Sequence, residues 1–76
     1  MTANRKYDYG EVYTWIVDFK RKNNGLAPSF REIQEEFQIS SLSVVYYILN
    51  VLVSQELITY EEHVARSIRV PDLEVN

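Results

Sequence analysis

Two helices of unequal length with almost no chain between them constrain this sequence more than any other feature. Ser29-Phe30-Arg31-Glu32 has the pattern of a capping box. In it a serine hydroxyl accepts from the Glu32 amide while the Glu32 carboxylate reaches back to the Ser29 amide. Phe30, Ile33 and Phe37 then give a short helix one apolar face. A break at Gln38–Ser41 follows, with Ser40 or Ser41 as a second N-cap candidate. The spacing predicts a longer helix over Leu42–Gln55, in which Val45, Ile48, Leu49 and Leu52 share one stripe. Helices joined this tightly form a helix-turn-helix, whose usual occupation is binding duplex DNA.

The second of these helices is unusual for that task. Leu42–Gln55 carries no formal charge, and ten of its fourteen residues are apolar. The chain's net charge is −3, and its cations are few. A nucleic-acid binder is expected to present a basic patch. The candidates are Lys20-Arg21-Lys22, Arg31 and the Arg66/Arg69 pair.

The rest of the chain completes a small domain. Val12, Ile16 and Phe19 recur at i, i+4 and i+7, with Tyr13 and Trp15 widening the stripe, so a first helix is expected from Tyr9 to Asn23. Lys20, Arg21 and Lys22 sit in its last turn, where cations suit the negative end of the helix dipole. Asn24-Gly25 stops it, and Leu26-Ala27 before Pro28 is extended. Leu57–Tyr60 and Ser67–Val70 read as two short strands of a β-hairpin whose loop is Glu61–Arg66. The expected fold class is mostly α with a small β-hairpin, a three-helix winged helix-turn-helix over residues 9–70. Residues 1–8 are expected to be an N-terminal arm and residues 71–76 a tail.

Several function classes find no support in the residues. There is no cysteine, hence no disulfide framework or thiolate metal site. A reducing interior suits such a composition. The basic N-terminus lacks an apolar run behind it, and the longest apolar run, Val44 to Leu49, is far too short for a membrane span. His63, the single histidine, has no second histidine or cysteine beside it and reads as a solvated loop residue rather than a metal ligand or catalytic base. No serine has a base and orienting acid at hand, and the two glycines, Gly10 and Gly25, make no phosphate loop. An enzyme is therefore not expected, nor a cofactor, metal or small-molecule ligand.

A family resemblance joins these pieces. Pro28-Ser29-Phe30-Arg31-Glu32-Ile33, Ile39-Ser40-Ser41, Leu49 and Leu52, Leu57-Ile58, and Arg66-Ser67-Ile68-Arg69-Val70 resemble, in order and spacing, the N-terminal DNA-binding domain of LexA-type repressors. The resemblance covers roughly residues 9–70. It implies a sequence-specific repressor of transcription, acting on double-stranded DNA as a homodimer in a bacterial or phage-type cytoplasm, at the nucleoid. It implies a recognition helix in the major groove and a wing near the backbone. In such repressors a self-cleaving serine peptidase domain follows, and these 76 residues are too few to include it. The sequence departs from the family at several positions. Gln38 and Glu56 stand where glycines are usual, and Gln34 and Glu36 stand near usual alanines. Tyr46 and Tyr47 replace histidine or other polar residues, and Asn50 replaces a lysine. Gln38 must then take up a left-handed turn conformation or alter the turn, since glycine enters positive φ far more cheaply.

Matched to the family, Ser41, Ser43, Val44, Tyr46 and Tyr47 fall on the face that meets base edges, with Asn50 further along the helix. The serine and tyrosine hydroxyls can bond phosphates or bases, and Val44 can touch a thymine methyl. Arg31, Arg66, Lys20 and Lys22 are the phosphate-contact candidates, each to be weighed against a simple solvated charge. A second use of the uncharged helix stands beside DNA readout. Val44, Tyr46, Tyr47, Val51 and Val53 can instead form a dimer or protein-interaction surface, as in an anti-repressor that has kept the scaffold.

Overall fold

A computed structural model describes residues 7–73. Helix α1 spans Tyr9–Lys22, α2 Phe30–Glu36 and α3 Leu42–Ser54. A C-terminal loop, residues 57–73, closes over them. Parts of the expected arm and tail, residues 1–6 and 74–76, lie outside the described residues.

Each helix starts where a side chain can satisfy its first amides. Asp8 caps α1 by accepting from the Glu11 amide at 3.2 Å. The capping box of α2 is complete: Ser29 Oγ accepts from the Glu32 amide at 3.0 Å, and Glu32 Oε1 accepts from the Ser29 amide at 2.8 Å. The third start differs from expectation. Ser41 stands at the N-cap of α3 but makes no side-chain cap, its hydroxyl lying 2.9 Å from that of Ser43 instead.

The helix ends share one device. After α1 the Gly25 amide donates to Lys20 O at 2.7 Å; after α2, Ile39 donates to Gln34 O at 2.9 Å; after α3, Leu57 donates to Leu52 O at 3.0 Å. These are the long-range bonds of Schellman motifs, which require a left-handed residue just before the donor. Those residues are Asn24 (φ 58°), Gln38 (φ 53°) and Glu56 (φ 63°). The expected stop at Asn24-Gly25 therefore works through Asn24, and Gln38 adopts the left-handed conformation rather than changing the turn.

The core forms where the three helices and the loop meet. Val45, Ile48, Leu49 and Leu52, the stripe read from sequence, are all buried. They meet Val12, Ile16 and Val17 of α1, Ile33 of α2 and Ile39 of the turn. Ile58, Ile68 and Val70 seal the cluster from the loop. Phe19, expected on the α1 stripe, is only half-buried, and Lys20 takes the interior position.

The expected two-stranded hairpin is not formed as strands among the described residues. A single antiparallel bridge, Thr59–Arg69, joins the two segments, with Thr59 N to Arg69 O at 3.0 Å and Arg69 N to Thr59 O at 2.8 Å. Chemistry stops the ladder on both sides. Towards the tip, the Glu61 amide donates to Ser67 Oγ at 2.9 Å and Ser67 Oγ donates to Glu61 O at 3.0 Å, so a hydroxyl replaces backbone at the next rung. Towards the base, the rung opposite Leu57 falls on Pro71, which has no N–H. The chain beyond is tied in as far as Leu73, whose amide donates to Val70 O at 2.9 Å and whose side chain packs on the core.

Candidate nucleic-acid interface

The turn between α2 and α3 sets how α3 is presented. Gln38 in its left-handed conformation and the Ile39 side chain, buried in the core, fix the path. Gln34 adds a bond from its side-chain amide to Ile39 O at 3.1 Å. The N-terminal turns of α3 then expose Leu42 (36%), Ser43 and, most of all, Tyr47 (61%).

The structure separates the expected reading residues into two groups. Ser41, Ser43 and Tyr47 lie towards solvent, the serine hydroxyls paired with each other. The Tyr47 ring stands edge-on to Tyr9 of α1, centroids 6.5 Å apart. Hydrogen bonding with Tyr47 holds the Tyr9 phenol above its usual value, burial and the neighbouring phenol adding to the effect. Tyr46 and Val44 are half-buried in contacts within the fold, and Asn50, though exposed, is engaged by the loop. The Tyr46 ring packs edge-on against Phe30 of α2, centroids 5.0 Å apart, and Phe30 does the same to Tyr60 of the loop at 5.3 Å. Asn50 Oδ1 accepts from the Tyr60 hydroxyl at 2.8 Å. Burial pushes the Tyr60 phenol up, with the charge of Glu62 adding to it, so it remains a donor. Val44 packs against the core from a half-buried position.

The four expected phosphate contacts divide in the same way. Arg31 on α2 and Lys22 at the end of α1 are exposed and make no hydrogen bond or ion pair among the described residues. Lys20 is a correction. It is only 7% exposed, and its ammonium donates to Ile68 O at 3.1 Å, holding the loop to α1. The signal was present in the sequence, because Val12, Ile16 and Lys20 stand at i, i+4 and i+8 on one face. Arg66 is also redirected. Its guanidinium grips Glu32 with both ends of the fork, Nη1 to Oε1 at 2.9 Å and Nη2 to Oε2 at 3.1 Å, and Nη1 also donates to Ala27 O at 2.9 Å. This grip, first, and the Ser29 amide, second, hold the Glu32 carboxyl below its usual range, while the same bond raises Arg66. One carboxylate thus serves the α2 cap and the loop anchor together. No local signal announces a pair 34 residues apart.

The positions that the structure brings together are the paired serine hydroxyls at the start of α3 and an exposed tyrosine one turn later. Two LexA repressors align with most of this chain. Over 63 residues, 83% of the chain, it is 43% identical to a LexA repressor of Herpetosiphon aurantiacus. Over 63 residues it is 38% identical to a LexA repressor of a Roseiflexus species. The chain is similar to LexA repressors. It spans only 29% and 28% of the length of these two LexA repressors. No family model matches it. The resemblance read from the capping box and the terminal Arg66–Val70 segment is thus matched by similarity to LexA repressors over 63 residues. Among the described residues no helix is long and apolar enough to cross a membrane.

Proposed function

We propose that this chain is the DNA-binding module of a LexA-like transcriptional repressor and reads duplex DNA with α3. The observation that carries the reading is the pairing of α2 and α3 through a fixed tight turn, in a sequence 43% identical to a LexA repressor over 63 residues. In this reading α3 enters the major groove, and Ser41, Ser43 and Tyr47 meet base edges or phosphates through their hydroxyls. The side chain of Ser41 leaves the first-turn amides of α3 uncapped, and these are donors a phosphate can use. Tyr46, Val44 and Asn50 set the pose of the helix more than they read sequence. Arg31 and Lys22 contact the backbone, and the loop tip between Glu61 and Arg66 serves as the wing. Two copies bind a palindrome, because one module with so few cations gains little from phosphates.

Salt dependence tests this directly. With Arg31 and Lys22 as the cationic phosphate contacts of each protomer, the slope of log K against log salt is about −2 for one module and about −4 for a pair. Fluorescence anisotropy with duplexes selected from a random pool, against unselected duplex, reads both affinity and preference. Absence of binding at low salt, or binding indifferent to salt, overturns the proposal.

A second reading has its own observation: Tyr47 and Leu42 are exposed apolar side chains on a helix with no charge. Here α3 is a protein-contact surface and the DNA function is lost. Tyr47→Ala discriminates, since Tyr47 stands outside the Phe30–Tyr46–Tyr60 cluster and its loss costs the fold only the single ring contact with Tyr9. Dissociation of an oligomer with no duplex binding in either protein supports this second reading.

A further inference from the structure

We infer that Tyr60 is a positioning residue for DNA specificity, a role that rests on the proposed reading of duplex by α3. Its hydroxyl, bonded to Asn50, locks the loop tip to the reading helix, so that helix and wing meet a duplex as one rigid unit.

The tip, residues 61–65, leaves the body of the domain between two ties. At one end the Tyr60 hydroxyl donates to Asn50 Oδ1 at 2.8 Å, and its ring packs on those of Phe30 and Tyr46, with centroids 5.3 and 6.4 Å away. At the other end Arg66 holds Glu32 with both ends of its fork and Ala27 O with one. Ser67 Oγ closes the base of the tip by bonding both the amide and the carbonyl of Glu61. The path turns through His63 (φ 64°) and Arg66 (φ 55°), both left-handed and neither a glycine. Backbone of that kind keeps one shape only where its surroundings over-determine it. Among these hydrogen-bonded ties, Tyr60 to Asn50 is the one that runs to α3. It joins an exposed residue to the rim of the aromatic cluster, so the buried core is complete without it.

Where the tip is held decides which duplex the module can enter. Residues 61–65 include two carboxylates, Glu61 and Glu62, and no lysine or arginine. The tip therefore gains nothing from phosphates and must clear them, which discriminates by exclusion. Groove width and backbone path vary with DNA sequence. A loop free to swing clears any duplex, whereas a fixed one accepts only those whose backbone fits. Fixing it also spares the best-fitting duplex the entropy of ordering the loop. The neutral hydroxyls of Ser41, Ser43 and Tyr47 cannot supply this selectivity, for they lack bidentate geometry on a base. The spacing of two modules can likewise be read only if each docks in a single orientation.

The test is the ratio of affinities for duplex selected from a random pool and for unselected duplex, read by fluorescence anisotropy. Tyr60→Phe keeps the ring contacts and removes only the hydroxyl; Asn50→Ala changes an exposed helix position, so both variants fold. Each should lower the ratio by about two- to tenfold, the worth of one hydrogen bond. The salt slope should stay as it was, since no cation is lost. The double variant should fall no further than either single one, because both remove the same bond. A purely structural role would weaken both duplexes alike and leave the ratio unmoved, which overturns the inference. Additive losses overturn it too, by showing that Asn50 reads DNA itself. Absence of any duplex binding by the unaltered protein removes the DNA reading and the lock together, whereas selective binding that survives Tyr60→Phe unchanged removes the lock alone.

Discussion

Replacing Gln38 and Glu56 by glycine is expected to stabilise the domain, and the size of the effect follows from backbone geometry. Both residues occupy the left-handed position of a Schellman motif, at φ 53° and 63°. A residue with a Cβ is disfavoured there by roughly 1–2 kcal/mol. Glycine removes that strain but loses about 0.5–1 kcal/mol more in chain entropy on folding. The net gain is about 0.5–1 kcal/mol at each site. For a domain of this size that raises the melting temperature by roughly 2–8 °C per substitution. Both side chains are exposed and make no hydrogen bond, so their removal has no offsetting cost. The sites follow different helices and share no hydrogen-bond partner, so the double variant should approach the sum. Thermal melts by far-UV circular dichroism measure it. Gln38→Ala is the control for loss of the side chain alone and should give no gain. Asn24→Gly is the control for conformation, since asparagine tolerates the left-handed region and should gain least. Gln38→Gly no more stable than Gln38→Ala, or an equal gain from Asn24→Gly, refutes the strain argument.

Other expectations follow from the polar contacts. Lys20→Met should destabilise the fold by about 1–3 kcal/mol in urea titrations, because Ile68 O loses its buried donor. The salt slope of duplex binding should not change; a slope reduced by about 0.9 with stability intact would return Lys20 to the phosphate contacts. Tyr47→Ala should lower duplex affinity roughly two- to tenfold, the worth of about one hydrogen bond, and stability by about 0.5–1.5 kcal/mol for the lost ring contact with Tyr9. Acid should weaken the α2–loop junction in a defined window. Glu32 has a folded value below its ordinary 4.5, so its contribution is complete above that pH and is lost as pH falls through and below it. Glu32→Gln should flatten the acid limb of stability against pH, and an unchanged limb would show that the Arg66 grip adds nothing.

What could be read from the sequence was whatever one element decides by itself. The α3 stripe is legible because residues at i, i+3, i+4 and i+7 face the core whatever packs against them. The α2 capping box is legible because its two ends, Ser29 and Glu32, bond each other. Tyr46 and Tyr47 were not separable, being adjacent in sequence and alike in chemistry. They differ only because α2 and the loop bring Phe30 and Tyr60 to one of them. The hairpin read as strands because its alternation is correct. The Ser67 hydroxyl and Pro71 stop the ladder after one rung, a matter of partner atoms rather than of propensity.

The same distinction bears on how the module would meet DNA on the proposed reading. Sequence offered ten candidate contacts, and the fold spends Lys20, Arg66, Tyr46 and Asn50 on joining α1, α2, α3 and the loop. A shift of the loop therefore loads directly onto α2 through Glu32 and onto α3 through Tyr60. On the proposed reading the face left over is narrow: Ser41, Ser43 and Tyr47 on α3, with Arg31 and Lys22 the exposed cations that remain among the candidates. Few charges on that face mean a small counterion-release term, so more of the affinity must come from neutral contacts and from a second copy. A surface of that kind discriminates weakly as a monomer, because neutral hydroxyls lack the bidentate geometry of arginine or asparagine on a base. On the proposed reading, selectivity then comes from the spacing and orientation of two modules. A half-site should accordingly bind almost as poorly as random duplex, while a correctly spaced pair binds with a slope near twice that of the half-site.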